Sequence, residues 1–200
     1  MKYTEEQDKV SYCLGLSIAS NLITSGVKTI NVEPFTEALD AAFNGKMPEL
    51  SPEEANKILQ EYFTKVQEEQ AGKAIETGKK FMEENAKKEN VVSLASGLQY
   101  EVVAEGNGES PKGTDSVKCH YHGTLIDGTV FDSSVNRGEP AVFPVNGVIK
   151  GWIEALQLMT VGAKWKLYVP SDLAYGAQGA GNLIGPHTAL IFEVELLEIV

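Results

Sequence analysis

Two hundred residues, of which 42% are hydrophobic and 22% charged, supply enough apolar side chains for one or two domains with cores and exclude a disordered chain. The net charge of -11 argues against a nucleic-acid binder, because such a protein needs a basic face, and it identifies no other partner. Residues 1–90 contain 5 of the 19 Gly and 3 of the 8 Pro, so the chain changes architecture near residue 90.

The cellular location is predicted from the cysteines and from the N-terminus. Cys13 and Cys119 are far apart in sequence and do not form a disulfide or zinc pattern, and two reduced thiols are typical of the cytoplasm. The first residues are polar and acidic, and no stretch approaches the roughly 18 apolar residues of a membrane span. The expected location is therefore cytoplasmic, without membrane contact, and periplasmic if a leader was removed.

Two helices are predicted in the first 50 residues. Thr4–Gln7 is read as a capping box that starts a helix, which continues to about residue 25 and stops at Gly26. A second, short helix begins near Pro34 and has apolar residues along one face.

A third and much longer helix is predicted from residue 52 to about residue 88. Ser51, Pro52 and Glu54 form a strong start signal, in which Ser51 caps the helix and Glu54 completes the capping box. Such a helix would be about 55 Å long at 1.5 Å per residue. Its apolar stripe thins beyond Glu68, so the second half is expected to project as a spacer.

The domain organisation follows from these elements. We predict a helical dimerisation domain over 1–50, a long linking helix over 51–90 and a sheet domain over 91–200. The first part is too small to bury its apolar positions alone, so a homodimer that packs the N-terminal helices across a two-fold axis is expected. The alternative is a helical cap that folds back on the sheet domain of its own chain.

The C-terminal part has the pattern of strands and turns. The predicted strands are Leu98–Val102, Ser116–Leu125, Thr129–Asp132, Trp165–Val169 and Ala189–Leu197. A single short helix, Val148–Met159, lies between them. The predicted fold class is α+β, with an antiparallel sheet wrapped on a short helix and preceded by an all-α domain.

Common catalytic patterns are weak in this part of the chain. His120 and His122 share one face of a strand, but the chain has only 3 His, so hydrogen-bonding histidines are favoured over a metal site. The Gly-rich segment 174–186 lacks the context of a phosphate-binding loop and is read as a flap. Ser133 and Ser134 are expected to bond backbone groups, and a hydrolase is the weaker hypothesis.

Aromatic residues near strand ends and near the helix start suggest a binding site. They are Tyr121, Phe131, Phe143, Trp152, Tyr175 and Phe192. Each one alone is more typical of a core. Asp132 beside Phe131, and the flap after Tyr175, favour instead a concave apolar pocket with a few polar groups.

Five sequence motifs occur in a fixed order in the C-terminal part. They are His120-Tyr121-His122-Gly123, Val130-Phe131-Asp132-Ser133-Ser134, Val148-Ile149-Lys150-Gly151-Trp152, Ala174-Tyr175-Gly176 and Phe192-Glu193-Val194-Glu195-Leu196-Leu197. With them, residues 97–200 closely resemble the FKBP-type peptidyl-prolyl cis-trans isomerases. Residues 1–90 further resemble the Mip-like bacterial subgroup, whose members are V-shaped homodimers with a helical N-terminal dimerisation domain, a long linking helix and a C-terminal isomerase domain.

The resemblance implies roles for individual residues. The implied catalytic set is Asp132, Tyr175, Trp152, Tyr121 and Phe131, and the implied substrate-binding set is Phe143, Val148, Ile149, Ile184 and Phe192. Trp152 would form the floor of a proline pocket, Asp132 would lie near the twisting imide, and the Ile149 N–H and the Tyr175 hydroxyl would bind substrate carbonyls. Ala141 and Ala180 depart from the family, whose smaller members have an aromatic residue and a histidine there.

The resemblance also implies the activity and the partners. The chain is expected to accelerate X-Pro isomerisation in proline-containing unfolded or nascent polypeptides, as a homodimeric folding assistant with chaperone-like binding. No cofactor and no metal are expected, and macrolide inhibitors are implied ligands. The alternative is a proline-segment binding module or holdase with little turnover.

Overall fold

The computed structural model describes residues 2–200, and these residues form an α+β structure as predicted. The helices are α1 (Glu6–Thr24), α2 (Val32–Phe43), α3 (Pro52–Asn85), α4 (Ser134–Arg137) and α5 (Lys150–Leu158). The strands are β1 (Val92–Ser93), β2 (Gln99–Ala104), β3 (Ser116–Leu125), β4 (Val130–Ser133), β5 (Ala141–Pro144), β6 (Lys164–Val169) and β7 (Leu190–Ile199). Among these described residues, no helix is long and apolar enough to cross a membrane.

The chain forms two compact units that divide within α3, between Glu68 and Glu69. The N-terminal unit contains α1, α2 and the first half of α3, and none of the residues 2–68 is buried. The C-terminal unit contains the rest of α3 and the whole sheet. The predicted domain boundaries, after residues 50 and 90, stay a prediction.

The two predicted capping boxes have different outcomes. The box at Ser51 is confirmed, because the Glu54 N–H donates to Ser51 Oγ at 3.2 Å and the Ser51 N–H donates to Glu54 Oε2 at 3.1 Å. The box at Thr4 is wrong. The N-cap of α1 is Glu5, which makes no side-chain capping bond, so Thr4 lies one position outside the N-cap.

The second half of α3 packs on the sheet domain and does not project freely as expected. Gly78 and Asn85 are its buried residues. The Gln99 amide, on β2, donates to the Met82 carbonyl at 2.9 Å and accepts from the Asn85 amide at 2.9 Å. These hydrogen bonds attach the last turn of α3 to β2, so this turn belongs to the C-terminal unit.

The sheet is antiparallel throughout, with the strand order β1-β2-β6-β7-β3-β4, and β5 pairs separately with β3. β3 has the predicted bounds, whereas the bounds of β2, β4, β6 and β7 differ from the predicted ones by one or two residues. β1, β5 and α4 were not predicted. β3 pairs with β7 from Val117 to Leu125, and its other edge pairs first with β5 and then with β4.

The core of the C-terminal unit lies between α5 and the inner face of the sheet. α5 contributes Trp152, Ala155 and Leu156, which recur at helical spacing and are all buried. β3 and β7 contribute alternate residues, as their burial patterns show, and β6 contributes Trp165, Leu167 and Val169. One end of this core opens into a cavity.

Candidate active site

The cavity has a volume of about 640 Å³ and lies between the start of α5, the inner face of the sheet and the flap, residues 174–186. All ten residues of the two implied sets line it, together with Gly147, Ala180, Gly181, Asn182 and Leu183. The structure therefore brings together side chains from five separate sequence motifs. Their individual roles stay predictions.

The floor of the cavity is the indole of Trp152, which is 4% exposed. Three aromatic rings meet it edge to face: Phe192 at 5.3 Å, Tyr121 at 5.5 Å and Phe143 at 5.8 Å between ring centroids. Edge-to-face pairs are favourable because the positive ring edge contacts the negative ring face. This packing holds the indole in one orientation at the base of an apolar pocket.

Gly123 makes room for the aromatic wall. It follows Tyr121 by two positions on β3, so both residues face the inside of the sheet. A Cβ atom at Gly123 would lie 2.6 Å from the Phe131 ring and 3.1 Å from the Phe192 ring. The absence of a side chain at this position lets these two rings pack edge to face at 5.4 Å.

The polar group of the cavity is a network of Asp132, Tyr121 and Arg137. The Tyr121 hydroxyl donates to Asp132 Oδ2 at 2.5 Å, and Arg137 donates to Asp132 Oδ1 and, at 2.9 Å, to the Tyr121 hydroxyl oxygen. Burial would raise the pKa of the Asp132 carboxyl, but the bonds from Tyr121 and Arg137 and the guanidinium charge lower this pKa below its usual value. Asp132 is therefore a carboxylate at neutral pH.

Arg137 is a residue of this polar network that sequence reasoning did not identify. It lies five positions after Asp132, at the end of α4, and the left-handed Gly138 ends the helix directly behind it. The guanidinium also lies over the Tyr121 ring, 5.6 Å from its centroid. The sequence signal that could have identified it is a basic residue shortly after Asp132, an acidic residue predicted to lie in the pocket.

The flap closes the cavity with a short two-strand bridge. Ala180 and Ile184 exchange two backbone hydrogen bonds, of 2.8 and 3.2 Å, and Ile184 is buried in the cavity wall. Leu183, beside it, is half exposed at the cavity. Of the two departures from the family, Ala180 lines the cavity, whereas Ala141 is not among its lining residues and Phe143 is.

The two strand histidines contact serine hydroxyls. His120 Nδ1 lies 3.1 Å from Ser134 Oγ, and His122 Nδ1 lies 2.9 Å from Ser133 Oγ. Ser134 also bonds the backbone of Tyr121, and Ser133 accepts the Asn136 N–H, as expected for serines in a turn. Within residues 2–200, no three His, Cys, Asp or Glu residues are placed to hold a metal ion.

Comparison with known proteins identifies the family. Residues 107–197 match the sequence model of the FKBP-type peptidyl-prolyl cis-trans isomerases, and residues 7–102 match that of the domain amino terminal to such isomerases. The chain is 49% identical over 194 residues to the FKBP-type 22 kDa peptidyl-prolyl cis-trans isomerase of Escherichia coli, covering 96% of this chain and 94% of the relative. The chain therefore belongs to the FKBP-type peptidyl-prolyl cis-trans isomerase family, whose substrates are proline-containing polypeptides.

Two further similarities concern the whole chain. The crystal structure of FkpA from Escherichia coli matches with a TM-score of 0.74 at 36% identity and covers 98% of both chains. Outer membrane protein MIP of Legionella longbeachae is 38% identical over 207 residues, covering 98% of this chain and 87% of the relative. The resemblance to the Mip-like group is thereby confirmed, whereas the predicted cytoplasmic location receives no support.

Proposed function

We propose that the cavity over Trp152 is the catalytic site and that it accelerates X-Pro isomerisation by desolvating the imide. Rotation about a peptide bond faces about 18–20 kcal/mol because amide resonance must be broken. Resonance separates charge between oxygen and nitrogen, so an apolar pocket favours the less polar, twisted state. The observation that supports the proposal is the ring of edge-to-face aromatics around the Trp152 floor.

The polar groups are proposed to hold the substrate while only the imide turns. Ile149 is the N-cap of α5, so its N–H lies outside the helical hydrogen-bond ladder and can donate to a substrate carbonyl. Tyr175 is half exposed at the cavity, where its hydroxyl can donate to the carbonyl on the other side of the imide. The Asp132 carboxylate would face the imide as its charge redistributes.

The site is tested by protease-coupled isomerisation of a short X-Pro peptide. Asp132→Leu and Tyr175→Phe are expected to lower kcat/KM by about tenfold, because the first removes the charge that faces the imide and the second removes a hydrogen bond to a substrate carbonyl. Asp172→Leu and Tyr100→Phe change the same residue types outside the cavity and are expected to retain the wild-type rate. Wild-type rates in both site variants, with the fold unchanged, would show that the site is misplaced.

We further propose that the N-terminal unit forms a homodimer with a second copy of the chain. Leu14 is 56% exposed, Val10 and Ile18 on the same face of α1 are also exposed, and no residue of 2–68 is buried. A helical unit without a core in one chain obtains one when its apolar faces pack together.

The dimer is tested by sedimentation equilibrium at micromolar concentration. Wild-type protein is expected to have twice the mass of one chain, and Leu14→Asp to have the mass of one chain, because a buried carboxylate without a partner opposes association. Val103→Asp is the matched control, since Val103 is 57% exposed on β2 in the other unit. A wild-type monomer would contradict the proposal, and would favour the cap that folds back on its own chain.

Three more proposals concern unfolded polypeptides, macrolide inhibitors and cellular location. Chaperone-like binding would use the two cavities of a dimer on one unfolded polypeptide, which raises the local concentration of the second cavity.

Macrolide inhibitors are expected in the cavity over Trp152, where binding is measured by quenching of indole fluorescence. The cytoplasmic location stays a prediction, and cell fractionation decides between cytoplasm and periplasm.

A further inference from the structure

One edge of β3 has a gap in its hydrogen-bond ladder. β5 pairs with this edge from Ser116 to Cys119, and β4 pairs with it from His122 to Thr124. His120 and Tyr121 lie between the two and have no strand partner on that edge. Buried backbone N–H and C=O groups need another partner in such a place.

The side chain of Ser134 fills this gap. The Tyr121 N–H donates to Ser134 Oγ at 2.7 Å, and the Ser134 hydroxyl donates to the Tyr121 carbonyl oxygen at 3.2 Å. Ser134 is fully buried at the start of α4, and its own carbonyl accepts the Glu139 N–H at 3.3 Å. One serine therefore takes the place of a strand beside Tyr121 and joins it to α4.

The third contact of the Ser134 hydroxyl is with His120 Nδ1, and it indicates which ring nitrogen carries a proton. A serine hydroxyl has one hydrogen and two lone pairs. Because the Tyr121 carbonyl has no strand partner on this edge, we assign the hydroxyl hydrogen to that carbonyl, and one lone pair accepts the Tyr121 N–H. The other lone pair can bond His120 Nδ1, 3.1 Å away, only if that nitrogen carries a proton. The neutral Nδ1–H tautomer and the imidazolium both meet this condition.

We propose that Ser134 and His120 are positioning residues of the isomerase site. They hold the backbone of Tyr121, whose hydroxyl holds the Asp132 carboxylate, and Ser134 begins the helix that carries Arg137 to the same carboxylate. This inference rests on the proposed roles of Tyr121 and Asp132 in catalysis. Neither Ser134 nor His120 lines the cavity, so both act through Tyr121.

The first test is a set of matched variants in the peptide assay. Ser134→Ala and His120→Leu are expected to lower kcat/KM by about tenfold. In Ser134→Ala the Tyr121 backbone loses a buried hydrogen-bond partner. In His120→Leu that partner, the Ser134 hydroxyl, loses the contact that orients it. His120→Asn keeps a side-chain N–H near the place of Nδ1 and is expected to retain most of the rate. His122→Leu, on the same strand face but in contact with Ser133, is the control and is expected to retain the wild-type rate.

The second test uses NMR readouts that a merely structural role would not change. In wild-type protein the ¹⁵N shift of His120 Nδ1 is expected to be that of a protonated nitrogen; a ring protonated only at Nε2 overturns the proposal. In Ser134→Ala or His120→Leu, the pKa of Asp132 is expected to rise toward its usual value as Tyr121 and Arg137 disengage. An unchanged Asp132 pKa in a folded variant also overturns it.

The outcomes separate this inference from the proposed site. Wild-type rates in Asp132→Leu and Tyr121→Phe would overturn the proposed site and the inference with it. Reduced rates in those two variants, with wild-type rates in folded Ser134→Ala and His120→Leu, would overturn only the positioning roles. If Ser134→Ala does not fold, the two His120 variants and the wild-type tautomer still decide.

Discussion

At the scale of single residues, the charge of Asp132 depends on two neighbours. Its carboxyl pKa lies below 3.8 because Tyr121 and Arg137 outweigh the opposing effect of burial. The carboxylate stabilises the fold above the unfolded pKa of about 3.8, and that stability is lost as the pH falls through the lower folded pKa. Burial raises the pKa of the Tyr121 hydroxyl, and its bond to Asp132 adds to this, so Tyr121 stays a donor at neutral pH.

This arrangement predicts a level pH profile. The kcat/KM for an X-Pro peptide, followed by NMR exchange, is expected to stay constant from about pH 8 down to about pH 5, where Asp132 remains ionised. Arg137→Leu removes a charge and a hydrogen bond that lower the Asp132 pKa, so this pKa should rise. As the pH falls, kcat/KM should therefore begin to decrease at a higher pH than in wild type. Lys150→Leu removes a cation that has no bond to this network and should keep the wild-type profile. Identical profiles in Arg137→Leu and wild type would contradict the argument.

Most of the site residues that could be predicted from the sequence belong to the five motifs, and Phe143 and Ile184, outside them, were implied by the wider resemblance. Phe131, Asp132 and Trp152 lie in local motifs whose resemblance to a family identifies them. Arg137 reaches Asp132 because α4 turns back after β4, and Ser134 reaches Tyr121 because β5 and β4 leave a gap. Both contacts depend on tertiary packing, which sequence spacing does not reveal.

At the scale of elements, prediction from sequence succeeded for the long, regular segments and missed β1, β5 and α4, although β4, also of four residues, was predicted within one residue of its bounds. β3 alternates half-buried and buried residues over its first eight positions, and α3 begins with a reciprocal capping box. β5 and α4 have four residues each, too few to establish a period, and β5 ends at Pro144. The second half of α3 packs through Phe81, whose ring lies 5.9 Å from that of Tyr168, and bonds Gln99, a polar partner from another element that its thin apolar stripe does not indicate.

The flap is the element whose geometry is most easily tested. Gly179 has φ +65° and ψ -166°, and a Cβ atom there would lie 2.2 Å from the Ile184 carbonyl oxygen. Gly179→Ala should therefore separate Ala180 from Ile184 and open the wall of the cavity. We expect kcat/KM to fall by about tenfold while the melting temperature changes little, because the flap lies outside the core.

Gly181→Ala is the matched control for the flap. Gly181 also has a positive φ, of +56°, but a Cβ atom there would meet nothing within 4 Å. Both variants place an alanine at a positive φ, but at Gly179, whose ψ of -166° belongs to a region essentially restricted to glycine, the alanine also clashes with Ile184. Equal losses of kcat/KM in both would show that strain alone, and not the position of Ile184, controls the rate.

At the scale of the whole molecule, the proposed dimer separates peptide turnover from client refolding. A short peptide occupies one cavity, so Leu14→Asp should leave its kcat/KM unchanged within about twofold. An unfolded client can occupy both cavities of a dimer, and the second binding event gains from effective concentration. For a urea-unfolded client whose refolding is limited by one X-Pro bond, Leu14→Asp should slow catalysed refolding by at least about tenfold at equal subunit concentration. Val103→Asp should match wild type in both assays. Equal refolding by the monomeric variant would show that a single cavity suffices for clients and that the exposed apolar face of α1 serves assembly alone.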